Sequence, residues 1–363
     1  MKELLKPSLN WLLIFVPVSA YLHYAREDAH TMVFVSACLA IVPLAGWLGH
    51  ATEHLAARTS EAVGGLLNAT FGNAAELIIA LIALQKGLYE VVKASLTGSI
   101  IGNVLLVLGA ACFAGGLKHK ILRFNASGAR TQASMMTLAA IAMIMPAAFH
   151  YLGGAMEKED DLSLEIAIVL MLTYAASLLF SLRTHKHLFQ SSAEVEEAES
   201  AEHWSTGKAL SILLLSTAFV AWMSELLVGS VEHAAHEFGM TSIFVGVIVV
   251  AIVGNAAEHS TAILMAMKNR MDLSLGIAMG SSLQIALFVA PLLVLVSYWI
   301  GPRPMDLLFT PAEIVAVVLA VAITAQISGD GESHWLEGIQ LLAVYVILGI
   351  VFYFLPEAAA AKH

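Results

Sequence analysis

Charge is what this sequence has least of. Asp, Glu, Lys and Arg make up only 13% of its 363 residues, about half the share found in soluble domains, whereas 59% of the chain is hydrophobic. So few charges cannot cover the surface of a water-soluble globule of this size, which leaves an integral membrane protein. Cysteine is almost missing too. Cys38 and Cys112 lie in separate apolar runs, and two isolated thiols neither build a disulfide framework nor match metal-ligand spacing, so they say nothing of redox compartment. There is no basic patch interleaved with aromatics, and the formal net charge of -10 comes largely from the short stretches between apolar runs, which argues against nucleic acid as a partner.

What is present is apolar length. Runs long enough to cross a bilayer fall near 10-25, 31-50, 64-85, 90-116, 129-152, 162-184, 207-230, 241-267, 273-300, 308-328 and 334-355, predicting an all-α integral membrane fold of eleven transmembrane helices. The first run follows Lys2 and Lys6 and ends near Val18-Ser19-Ala20, as a signal peptide does. Nothing after it resembles a secreted domain, so a retained helix is expected. Counted on alternate sides of the runs, the side of the N-terminus holds twelve Lys and Arg, Lys118, Lys120, Arg123, Lys268 and Arg270 among them, and the other side six. The positive-inside rule then places the N-terminus in the cytoplasm and the C-terminus outside. A short N-terminus without a long basic extension points to the plasma membrane of a prokaryote.

The chain also repeats itself. A shift of 182 residues superimposes GNAAELIIALIALQKGLYEVVKASLTGS (72-99) on GNAAEHSTAILMAMKNRMDLSLGIAMGS (254-281) without a gap, with nine identities where chance gives roughly two. Duplication divides the chain into an extra N-terminal helix (1-28), a first five-helix repeat (29-185), an acidic cytoplasmic linker (186-206) and a second five-helix repeat (207-363). An odd number of crossings per half makes the halves inverted, a transporter architecture whose substrate site lies at the midplane between them. Close packing explains the repeated glycines and alanines. It does not explain the repeated glutamates.

Glu76 and Glu258 are acidic residues inside apolar runs. A carboxylate at the bilayer centre costs at least about 2.5 to 3.5 kcal/mol, so each is a functional candidate that needs a partner. In a pseudo-symmetric fold the two approach one another, and like charges repel unless a cation or protons intervene. Two carboxylates match one divalent ion or two protons, so one site holds either cargo but not both: the chemistry of a secondary antiporter, not of an enzyme.

Neighbouring residues supply further oxygen. Asn73 and Asn255 each precede a motif glutamate by three residues, which on a continuous helix places amide and carboxylate on one face. Later segments add Gly98-Ser99-Ile100-Ile101-Gly102-Asn103 and Gly280-Ser281-Ser282-Leu283-Gln284. Any one of these polar residues alone reads equally well as an interhelical hydrogen bond; their recurrence in both halves points to a shared cation site. Carboxylates, amide carbonyls and hydroxyls suit calcium, whereas no thiolate or imidazole cluster marks zinc or copper.

GNAAE with a later GSIIGN, and GNAAEH with GSSLQIALFV, resemble the two signature regions of the calcium/proton exchangers, a branch of the calcium/cation antiporter superfamily. The resemblance runs from about residue 40 to the end. It implies an extra first helix before a five-plus-five core and a calcium site around Glu76 and Glu258. Asn73, Asn255, Ser99, Asn103, Ser281, Ser282 and Gln284 would line that site or its access paths. Sodium-coupled relatives usually carry a Gly-Thr-Ser-x-Pro-Glu type of sequence where this chain has Gly-Asn-Ala-Ala-Glu, so proton coupling is expected, with a sodium/calcium exchanger of the same superfamily as the alternative. Calcium is then a transported substrate and, through the acidic linker, a candidate cytoplasmic regulator. No cofactor is implied, the lipid bilayer is a partner, and a homo-oligomer is left open.

Other residues carry weaker expectations. His259 replaces the Leu77 of the first half and reads equally as a proton relay, its ordinary pKa being near 6.5, or as a packed polar residue. The linker glutamates Glu194, Glu196, Glu197 and Glu199 read as a solvated connection or, as the resemblance implies, as an acidic helix that attracts or senses calcium. His50-Ala51-Thr52-Glu53-His54 satisfies the H-x-x-E-H pattern of some zinc peptidases, but lacks a third ligand and leaves the duplicated GNAAE unexplained. Thr52 and Glu53 fit better as a cytoplasmic mouth or gate. Glu225 and Glu232 are secondary candidates for an ion or proton path.

Overall fold

A computed structural model describes residues 9-26, 28-59, 61-188 and 204-356. Helices dominate it. In chain order they are α1 (Leu9–Ala25), α2 (His30–Ala56), α3 (Glu61–Phe71), α4 (Ala74–Gln85), α5 (Tyr89–Lys118), α6 (Ala126–Tyr151), α7 (Met156–Thr184), α8 (Thr206–Glu237), α9 (Ser242–Met267), α10 (Met271–Ile300), α11 (Pro311–Ile327) and α12 (Trp335–Phe354). Among the described residues, eight of these are long and apolar enough to cross a membrane: α2, α5, α6, α7, α8, α9, α10 and α12. The chain is thus a multi-pass, all-α membrane protein. α1, α4 and α11 are apolar but shorter. The acidic stretch with Glu194, Glu196, Glu197 and Glu199 lies outside the described residues.

Enclosure sorts the helices. In α5, 72% of the apolar window is buried and in α2 and α10 61%, against 17% in α7 and 28% in α12, so α2, α5 and α10 form the centre and α7 and α12 the periphery. The packing pairs helices that the 182-residue offset relates. α2 runs along α8, and α6 along α11. The last part of α5 packs on α12, while the last part of α10 packs on α7. Small residues permit these approaches: Ala37, Ala40 and Ala51 of α2 and Ser224 and Ala234 of α8 are fully buried. A two-residue antiparallel ribbon, β1 (Leu122–Arg123) with β2 (Glu332–Ser333), joins the α5–α6 and α11–α12 connections, with Arg123 and Glu332 paired at 3.2 Å.

Two runs expected as continuous helices are interrupted. The 64-85 run breaks between Phe71 and Ala74, and the 241-267 run turns out of helical geometry at Asn255. Both breaks fall on the Gly-Asn of the repeated motif. Asn73 (φ -103°, ψ 34°) and Asn255 (φ -93°, ψ 4°) leave the α region, and a new helix starts one residue later. Hydropathy does not register such a break, because the residues around it stay apolar. α5 and α10 carry a matching pair of wider π-type turns, Gly102–Val107 and Ile285–Val289, again at the 182-residue offset.

Candidate functional site

The helix breaks set the site. Counted from Asn73, the N-cap of α4, Glu76 is the third helical residue, and Glu258 holds the same place after Asn255. Each glutamate therefore sits in a first turn, where the partial positive charge of a helix end lies. An N-cap asparagine ordinarily accepts a bond from its own helix, but neither does so here. Both side chains reach across to the other half instead. Asn255 Nδ2 donates to Ser99 Oγ at 3.0 Å, and Ser281 Oγ donates to Asn73 Oδ1 at 2.7 Å. The offset relates these two contacts, since 73 and 255 correspond, as do 99 and 281. This corrects the expectation that each asparagine shares a continuous helix face with its glutamate. The amide belongs to a break: Asn73 is bonded from the opposite half, and Asn255 donates both to Ser99 of the opposite half and, at 2.9 Å, to the Ala251 carbonyl of its own.

Asn103 closes the network. Its Nδ2 donates to Ser281 Oγ at 3.1 Å and to Asn255 Oδ1 at 3.4 Å. Its counterpart at the offset is Ile285, so the centre is not fully symmetric. Ser282 Oγ lies 3.3 Å from the carbonyl of Ile100 and 3.0 Å from that of Ala278, an interhelical and an intrahelical contact. Gln284 is buried against Gly72, its Oε1 3.3 Å from the place a Cβ there would take.

Glu76 and Glu258 line one vestibule of about 1250 Å³, with Gln284, Ser281, Thr52 and Glu53 also on its wall. It extends to the bundle end that carries Asn125, Leu188 and Trp204. Both glutamates are half-buried there, and Glu258 is within electrostatic reach of Glu76 and Glu53. Glu76 also packs over the second motif: a Cβ on Gly254 would stand 3.1 Å from Glu76 Cγ and 3.3 Å from Oε1. Among the described residues, Asn73 Nδ2 and Glu258 Oε2 are enclosed polar atoms with no hydrogen-bond partner. Unpaired donors and acceptors of this kind cost free energy unless a bound species satisfies them.

The remaining candidates divide. Thr52 is buried and donates to the Leu48 carbonyl, while Glu53 is exposed on the vestibule wall and pairs with His50 at 3.5 Å. His54 stacks on Trp204 at 4.3 Å, and Trp204 in turn stacks on Trp47 at 5.9 Å beneath Lys208, so the H-x-x-E-H residues belong to the rim. His259 is half-buried, and its enclosed Nε2 has no partner among the described residues. The vestibule wall does not include it. Glu225 and Glu232 are exposed on α8 and are not brought to the site; the Glu225 carbonyl receives Lys86 Nζ at 3.3 Å. Sequence reasoning missed Ser95, one turn before Ser99 on α5, and Trp204 on the rim. The first could have been found from its i, i+4 spacing, the second from nothing in the pattern.

The sodium/calcium exchanger family model matches residues 29-183 and 208-354. A Ca(2+)/H(+) antiporter of Synechocystis is 50% identical over 365 residues, covering 95% of this chain and 96% of the relative. The Ca(2+)/H(+) antiporter ChaA of Bacillus subtilis is 48% identical, covering 89% and 92%. The solved structure of native YfkE superimposes with a TM-score of 0.83 at 42% identity, covering 96% of this chain and all of the other. An H+/Ca2+ exchanger structure at 14% identity shares the fold, with a TM-score of 0.72 over 95% of this chain and 91% of the other. With both halves of the chain matched and full-length likeness to calcium/proton antiporters, the protein belongs to the calcium/proton exchanger branch of the sodium/calcium exchanger family.

Proposed function

We propose that this protein is a secondary antiporter that exchanges cytosolic calcium for protons, by alternating access to a site between Glu76 and Glu258 near the bilayer midplane. One observation carries the reading: both motif glutamates line a single vestibule with Ser281 and Gln284, and the motif asparagines are bonded across the halves to Ser99 and Ser281. Glu76 and Glu258 supply the charge for one divalent cation. Asn73 Oδ1, Asn255 Oδ1, Ser99 and Ser281 offer hard oxygens, and Glu258 Oε2 is already enclosed without a partner. When the pair faces the cytoplasm unprotonated, calcium binds. When it faces the other side, protons displace the ion and neutralise the pair for return. An empty, unprotonated pair leaves two enclosed like charges, so switching without cargo is disfavoured and leak is prevented.

The inverted five-plus-five arrangement with eleven crossings belongs to this reading, supported by helix pairs, the Asn–Ser bonds across the halves and the π-type turns of α5 and α10, which recur near one offset. So does a cytoplasmic N-terminus. The vestibule then opens to the cytoplasm, with Thr52 and Glu53 at its mouth. His259, next to Glu258 with an unpaired nitrogen, is assigned a proton-relay role that His259→Ala tests through the pH profile of transport. The linker glutamates are assigned calcium attraction at the same face. Deleting 193-202 tests this through the apparent calcium affinity.

Calcium uptake into proteoliposomes is the central experiment. A pH gradient is expected to drive uptake and a sodium gradient is not. Glu76→Gln and Glu258→Gln each remove one charged contact of about 1.5 to 3 kcal/mol and are expected to weaken apparent calcium affinity at least about tenfold. Uptake driven by sodium and indifferent to pH would assign the alternative sodium-coupled exchange.

A further inference from the structure

A second, narrow pocket of about 10 Å³ borders Glu76 on Ile79, Ser95, Leu96, Ser99, Val250 and Ile285. It has room for a single water. The 182-residue offset carries Glu76, Ile79, Ser95, Ser99 and Val250 to Glu258, Thr261, Ile277, Ser281 and Asn68, and these five line the open vestibule, whereas Ala278 and Asn103, the counterparts of Leu96 and Ile285, do not. These residues therefore face the wide vestibule around Glu258, whereas beside Glu76, which lines that vestibule too, Ile79, Ser95, Ser99 and Val250 leave only the narrow pocket.

The groups beside the narrow pocket are tied down. Leu275 and Thr131 line the vestibule or stand on its wall; at the offset their counterparts are Lys93 and Glu313. The Lys93 side chain, 14% exposed, donates to Asp306 Oδ1 at 2.9 Å and to the Leu308 carbonyl at 2.8 Å. Glu313, 2% exposed, accepts from Thr97 Oγ1 at 3.3 Å through Oε1. Its role in capping α11 uses Oε2 alone, which accepts from the backbone N–H and hydroxyl of Thr310, so the cap does not require the bond to Thr97. Lys93 thus fastens α5 to the segment leading into α11, and Thr97 fastens it to the first turn of α11.

In an inverted repeat the opposite-facing state arises when the halves exchange conformations. We propose that Ile79, Ser95 and Val250 floor a second vestibule, on the face opposite the first and closed in this state, and that Thr97–Glu313 and Lys93–Asp306 are the latch that holds it shut. This rests on the alternating-access reading above, but its test reads accessibility and not calcium flux. In a Cys38→Ala, Cys112→Ala background, Ser95→Cys and Thr261→Cys are exposed to a membrane-impermeant maleimide in right-side-out and inside-out vesicles. Thr261→Cys is expected to label from the face of the open vestibule and Ser95→Cys from the opposite face. Thr97→Val or Glu313→Gln, which loosen the latch while leaving the fold intact, should speed labelling of Ser95→Cys about fivefold, the net worth of one hydrogen bond. Ile79→Cys serves as the second probe should Ser95→Cys fail to fold. Labelling of both probes only from the vestibule face, or none in protein that still exchanges calcium, overturns the proposal; absence of proton-driven calcium exchange with intact two-sided labelling would instead overturn the cargo assignment.

Discussion

Single side chains decide how tightly the two halves are tied at the centre. Asn255 and Asn73 are N-caps that do not cap: Asn73 accepts from Ser281 of the other half, and Asn255 donates to Ser99 of the other half and to the Ala251 carbonyl of its own. Removing one such amide leaves buried partners unsatisfied at about 1 to 3 kcal/mol. Asn255→Ala is therefore expected to lower the thermal midpoint in detergent by several degrees and to slow exchange, whereas Ser134→Ala, an exposed α6 residue away from the vestibule whose hydroxyl returns to the Arg130 carbonyl, should do neither. Gly254 offers a complementary test. A methyl group there meets Glu76 Cγ at 3.1 Å, and overpacking of this order costs about 1 to 3 kcal/mol. Gly254→Ala is expected to keep the protein folded while displacing Glu76, read as weakened calcium-dependent protection against heat. At this scale the glutamates were legible in the sequence, because a repeated carboxylate in an apolar run has no packing explanation. Their asparagine partners were legible as polar groups but not in their bonding, which depends on a backbone break that residue type alone does not dictate.

Helices set the next scale. α5 is the most enclosed of the long helices, and it approaches α9 so closely that a Cβ on Gly98 would lie 2.0 Å from the Val247 carbonyl oxygen. Backbone cannot yield as a side-chain tip does. Gly98→Ala is expected to cost about 3 kcal/mol or more and to abolish a monodisperse folded fraction on size-exclusion chromatography. Gly276, with open space where its Cβ would be, should accept Ala without such loss. Hydropathy located the apolar runs well because burial in lipid or core both demand apolar side chains. It could not see that two runs break at Gly-Asn, nor that the break makes the first turn in which each glutamate stands. It also set the end of the second helix near residue 50, whereas α2 continues to Ala56 and carries Thr52 and Glu53 on helix, not loop.

For the whole molecule, orientation is the testable property. Twelve Lys and Arg on one side against six on the other predict that a reporter fused to the N-terminus reads as cytoplasmic and one fused to the C-terminus as external, checked with a pair of compartment-specific reporters. Both reporters on one side would remove the odd crossing number on which the inverted-repeat reading depends. The membrane class and the recurrence of GNAAE at a 182-residue offset, with the glutamates it marks as candidates, are legible in the sequence alone, since each is a property of composition or period that survives any arrangement of the helices. Which asparagine meets which serine, that one copy of the arrangement faces the wide vestibule and the other a narrow pocket, and that Glu313 and Lys93 are buried in contacts with Thr97 and Asp306 were decided only by the tertiary structure. These are relations between segments far apart in the chain, and the offset that makes the halves alike in sequence is silent about which of them is open.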